Sequence, residues 1–118
     1  MRAMNQDAPA AADWDRQYDQ LRLRLSRVGY LSQGSVQDRT ARTGGGAGYQ
    51  WTRKIARKTV TVSLTQKQFA HLRQAVHNYR QVRRLLTQME KLSRKIIFQQ
   101  VPHLYRRKRL TAKVLGTN

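Results

Sequence analysis

An apolar row through the second half of the chain restricts the fold more than any other feature. Leu72, Ala75, Tyr79, Val82, Leu86, Met89, Ser93 and Ile96 follow one another at intervals of three and four residues, and Phe69, Val76 and Leu92 widen the row. Such spacing gathers side chains onto one side only in an α-helix, and its persistence over more than three heptads is coiled-coil-like. Thr65 followed by Gln68 forms a capping box, in which hydroxyl and amide satisfy free N–H groups at a helix start. Pro102 opposes continuation at the other end. A long amphipathic helix is therefore predicted from Thr65 to about Gln99.

Upstream of it the period changes to two. Tyr49, Trp51, Arg53 and Ile55 alternate with polar residues, as Val60, Val62 and Leu64 do with Thr59, Thr61 and Ser63. β-Branched and aromatic residues in this pattern predict a two-stranded β-hairpin turning at Ala56-Arg57-Lys58, although the turn lacks the usual Gly or Asn. A shorter helical row, Trp14, Tyr18, Leu21, Leu25 and Val28, predicts a first helix over 13–31, with acids at its start and arginines towards its end to oppose the dipole. Residues 32–48 hold five of the seven glycines and read as a Gly-rich loop. The expected fold class is α+β, mainly α: N-terminal helix, loop, hairpin and long helix as one domain over 13–99. A flexible lead (1–12) and a basic C-terminal tail (100–118) flank it. Helix 2 is nearly twice as long as helix 1, so its end around Met89, Leu92, Ile96 and Ile97 needs a cover, and a second copy of the chain, a homodimer, is the simplest one.

At 118 residues there is room for about one domain. Its charge is lopsided: residues 39–118 carry nineteen Lys and Arg against one acid, Glu90, which accounts for the whole net charge of +18. A chain so crowded with like charge repels itself, and a polyanion relieves the cost, so nucleic acid heads the partners. The absence of cysteine excludes disulfides, thiolate metal sites and thiol nucleophiles. With no signal-like apolar core at the start and no membrane-length apolar run, the expected location is cytoplasmic, without a membrane partner. No phosphate-binding glycine loop precedes a Lys-Ser/Thr pair, and Asp13, Asp15 and Asp19 are explained by the helix dipole. His71 and His77, six apart on a helix, diverge by about 120°. Neither catalytic residues, nor a metal site, nor a cofactor are expected.

The order of the pieces, from Leu25-Ser26-Arg27-Val28-Gly29-Tyr30 through Gly48-Tyr49-Gln50-Trp51-Thr52-Arg53-Lys54 to Lys58-Thr59-Val60-Thr61, resembles an uncharacterised bacterial family of short basic proteins, a domain of unknown function often encoded near transposase genes. The likeness spans about residues 14–99. It implies a fold and a neighbourhood, with a transposase as the protein partner, and no reaction. The family's cysteine-containing segment, which looks like a small metal knuckle, is replaced here by Thr40-Ala41-Arg42-Thr43-Gly44-Gly45-Gly46, and any metal role goes with it.

Three groups of residues are candidates for contacting nucleic acid. Arg73, Arg80, Arg84, Lys91 and Lys95 recur at intervals of seven and four, forming one basic stripe expected opposite the apolar seam, where it can track phosphates. Arg53, Lys54, Arg57 and Lys58 surround Tyr49 and Trp51 on the hairpin, as in single-strand binders, although the aromatic face also suits packing on the long helix. Arg106, Arg107, Lys108 and Arg109 form a short basic arm. The leading expectation is a non-enzymatic nucleic-acid-binding protein acting as a transposition accessory, with DNA slightly favoured over RNA and with poor sequence specificity. The alternative is a helical interaction or scaffold protein that uses the seam of Tyr79, Val82, Leu86, Met89 and Ile96, or a degenerate copy of the family.

Overall fold

A computed structural model of the chain describes residues 2–40, 48–105 and 108–118, the side chains of 2–12 excepted. In chain order its elements are α1 (Arg2–Ser26), β1 (Ser35–Asp38), β2 (Tyr49–Ile55), β3 (Lys58–Leu64), α2 (Gln66–Gln100) and α3 (Ala112–Leu115). The fold is α+β and mainly helical. Two compact units divide it: a central unit, Val28–Arg83, and a terminal unit formed by Met1–Arg27 with Arg84–Asn118. The long helix contributes its first part to the central unit and its remainder to the terminal one.

In the central unit the capping box is formed as the sequence requires. The Thr65 hydroxyl accepts from the Gln68 backbone N–H at 3.1 Å, and the Gln68 side-chain oxygen accepts from the Thr65 N–H at 2.9 Å. The sheet has three antiparallel strands in the order β1-β2-β3, one more than the hairpin alone. β1 was hidden in the expected loop because four residues, Ser-Val-Gln-Asp, are too few to show a period; its pairing is decided by β2, where Val36 stands opposite Trp51 and Asp38 opposite Tyr49. Gly44–Gly46, the glycine run of that loop, lies outside the described residues.

Directly opposed residues share a face of an antiparallel sheet, so the register sorts side chains cleanly. One face presents Ser35, Gln37, Gln50, Thr52, Lys54, Thr59, Thr61 and Ser63, and the other Val36, Tyr49, Trp51, Ile55, Val60, Val62 and Leu64 together with the charged Asp38, Arg53 and Lys58. The apolar face meets the start of α2 where the Tyr49 and Phe69 rings lie 4.6 Å apart. β2 and β3 are joined by two residues, Ala56 and Arg57, between the pair Ile55 and Lys58. Both take positive φ, 48° and 71°, the type I′ geometry that matches strand twist. Neither side chain suits it, at about 1–2 kcal/mol per residue.

Val28–Gly34 is strapped to the sheet and to α2. The Ser32 N–H donates to the Ala75 carbonyl at 3.2 Å, Asn78 Nδ2 to the Tyr30 carbonyl at 3.0 Å, and Gln33 Nε2 to the Tyr79 hydroxyl at 3.0 Å. Trp51 Nε1 in turn donates to the Gln33 carbonyl at 2.9 Å. This approach requires glycine at position 34, where φ is +109° and a Cβ would lie 2.6 Å from the Thr52 carbonyl oxygen and against the Trp51 indole.

In the terminal unit α1 runs antiparallel to the second part of α2. Trp14 stands near Lys95, while Leu21 and Arg24 share a shallow groove with Gln88 and Leu92. Leu21, Leu85, Met89 and Leu92 are buried. The helix end that seemed to need a second copy is thus partly covered by the chain's own first helix. The row also selects Leu85 over Leu86, which is 45 % exposed.

α1 differs from expectation at both ends. It begins at Arg2, because the alanines between residues 3 and 12 carry a helix without an apolar period, even though Pro9 costs it one backbone donor. It ends at Ser26, whose hydroxyl donates to the Leu23 carbonyl at 2.6 Å. The expected tail holds the short helix α3, capped by Thr111 and by Gly116 in the left-handed region.

Two predictions follow from the strained backbone of the central unit. Gly34→Ala lowers stability by about 1–3 kcal/mol through the backbone alone, whereas Gly29→Ala, whose Cβ would crowd only the Asn78 amide at 3.3 Å, costs less in the same urea titration because one side chain and its bond to the Tyr30 carbonyl shift instead of the backbone. Conversely, the pair Ala56→Asn and Arg57→Gly raises the thermal midpoint by relieving about 1–2 kcal/mol per residue.

Candidate nucleic-acid interface

The basic residues of α2 fall in two groups. Arg73 and Arg80 are exposed on the central unit, and Arg84 is exposed on the terminal one. Lys91 and Lys95 are half-buried beside α1 instead: both line its groove with Gln17 and Gln20, and the Lys95 ammonium lies 6.0 Å from the Trp14 ring centroid. In place of standing opposite the buried row, these two lysines flank it, because the row turns around the helix when it passes through Leu85.

The first helix uses its acids locally. Asp19 accepts from Arg22 at 2.8 Å, and Asp13 lies 3.8 Å from Arg16, both pairs one turn apart on α1. In the central unit ten basic residues face a single acid, Asp38. The Thr40 side chain and then its backbone N–H hydrogen-bond the Asp38 carboxylate and hold it below the usual carboxylate range. It is therefore ionised at neutral pH, at the end of β1, next to the Arg39 N–H to Gly48 carbonyl bond of 2.8 Å that closes the β1–β2 connection.

On the hairpin, Arg53, Lys54, Arg57 and Lys58 are all exposed. The register separates them: Lys54 projects from the polar face, while Arg53 and Lys58 share the face of Trp51, and Arg57 occupies the turn. The Arg53 guanidinium carbon lies 5.5 Å from the centre of the Trp51 ring, a cation–π contact. Tyr49 and Trp51 are half-buried. They serve packing and still border solvent, so the two readings of this face are compatible.

Beside Trp51 the sheet and the first turns of α2 enclose an open cleft of about 540 Å³. Val62, Leu64 and Leu72 make its walls apolar, and Lys67 and His71 stand exposed at its edge. Sequence reasoning passed over Lys67 and weighed His71 only as a metal ligand. Their spacing of four on the face of α2 that begins one residue after β3 is the signal that could have placed them beside the strand.

Lys108 and Arg109 are exposed, while Arg106 and Arg107 lie outside the described residues. Of the expected seam, Met89 is buried, and Tyr79, Val82 and Ile96 are half-buried, with Tyr79 bonded to Gln33. Among the described residues no helix is long and apolar enough to cross a membrane. No protein family, no curated protein and no solved structure matches the chain.

Proposed function

We propose that the chain is a non-enzymatic nucleic-acid-binding protein that grips the phosphate backbone through exposed cations, acting as an accessory to transposition. The observation that carries this reading is the charge of the central unit, ten basic residues against one acid, with Arg53, Lys54, Arg57, Lys58, Arg73 and Arg80 all at the surface. Arg84, Lys108 and Arg109 add exposed cations on the terminal unit. Lys and Arg arrayed in this way displace condensed counterions from a polyanion, which supplies affinity with little sequence preference. DNA over RNA, and a transposase as the protein partner, are part of the same proposal and rest on the order of the pieces from Leu25 to Thr61 alone.

A second reading, a helical protein that docks on a partner protein, is favoured by Leu86 and Ile97. They are 45 % and 54 % exposed and lie three turns apart on one side of α2.

Titrating a labelled duplex over a range of salt separates the two. Affinity should fall linearly on a log–log plot, and Arg80→Ala and Arg84→Ala should each reduce the slope by about one. Leu86→Gln, a change at an exposed position, leaves that binding intact. Absence of binding at low salt to the duplex and to a single strand of equal length refutes the first reading, and loss of a cellular partner in Leu86→Gln alone supports the second.

A further inference from the structure

We infer that the cleft beside Trp51 receives an unpaired base of single-stranded nucleic acid, an assignment that rests on the nucleic-acid reading above and gives it a binding site. The cleft has what such a ligand requires. Its interior is apolar, from Trp51, Val62, Leu64 and Leu72, and its open edge carries Lys67 and His71. Arg53 adds a cation at the same indole.

The indole is held in place before any ligand arrives. Its Nε1 donates to the Gln33 carbonyl at 2.9 Å, and its backbone is paired on both sides, opposite Val36 and Val62. A fixed aromatic surface loses little freedom when a base settles against it. The flanking cations then meet phosphates, which in a single strand are never more than a sugar away from the base. A duplex cannot use the site, because its bases are stacked inside. Charge selects a polyanion and the apolar interior with its indole selects one with a ring in every unit, which favours a nucleic-acid strand over an acidic peptide.

Trp14 and Trp51 are the two tryptophans, so Trp14→Phe leaves Trp51 as the sole indole reporter in the full chain. Oligo(dT) and a duplex of equal length are titrated against this variant, reading Trp51 emission together with the anisotropy of the labelled nucleic acid. Saturable quenching by oligo(dT) and not by duplex is expected, with the strand bound about tenfold tighter once differences in salt slope are removed. Lys67→Ala should weaken strand binding more than Lys54→Ala, which deletes the same charge from the opposite face of the sheet. Strand binding that leaves Trp51 emission unchanged, or equal losses in the two lysine variants, overturns the base site while the phosphate-binding function stands. Polyglutamate that quenches Trp51 and displaces the strand also overturns it and assigns the cleft to an acidic peptide. If neither strand nor duplex binds at low salt, the base site and the proposed function fall together.

Discussion

The central unit depends on the close approach of the chain at Gly34 to the Trp51 indole. A side chain at 34 would strike the Thr52 carbonyl oxygen, and φ there lies where L-residues rarely go. With glycine in place, Gln33 offers its carbonyl to the indole N–H and its amide to the Tyr79 hydroxyl. One residue thereby joins β2 to α2. Asn78 and the Ala75 carbonyl complete the strap, so that a segment whose Tyr30 and Leu31 stay exposed is ordered by hydrogen bonds to elements distant in sequence.

That strap also explains why an aromatic residue can be both structural and available. An indole buried by packing alone would need both faces covered. Trp51 is secured by its ring nitrogen and by strand pairing on both sides, which leaves it half-buried at the margin of a cleft. The hairpin cations are then sorted by pleat: Arg53 and Lys58 share the face of Trp51, and Lys54 faces away. Burial, charge and an aromatic ring therefore meet on one face of a small sheet.

The terminal unit uses charge differently. Its helix α1 pairs Asp13 and Asp19 with its own arginines, and Lys91 and Lys95 lie along the groove between α1 and α2. Part of the basic stripe thus contributes to packing through aliphatic stems, which a reading of charge spacing alone treats as freely solvated.

The sequence by itself determined the elements whose signals are local. The capping box at Thr65, the long apolar row, the alternation from Tyr49 to Leu64 and the concentration of positive charge after Asp38 are each read along one continuous stretch of chain, with no reference to a distant segment. Tertiary structure decided the rest. Leu85 and Leu86 stand three and four residues after Val82, and both continue a helical row, so only packing chose Leu85 for the interior. β1 is four residues long and becomes a strand through its partner β2, and α1 reaches back to Arg2 on alanine propensity with no apolar period. The cleft at Trp51 needs β2, β3 and α2 at once. Periodicity records which side of an element is apolar, whereas the neighbour that covers it, and the gap left uncovered, depend on contacts between segments far apart in the chain.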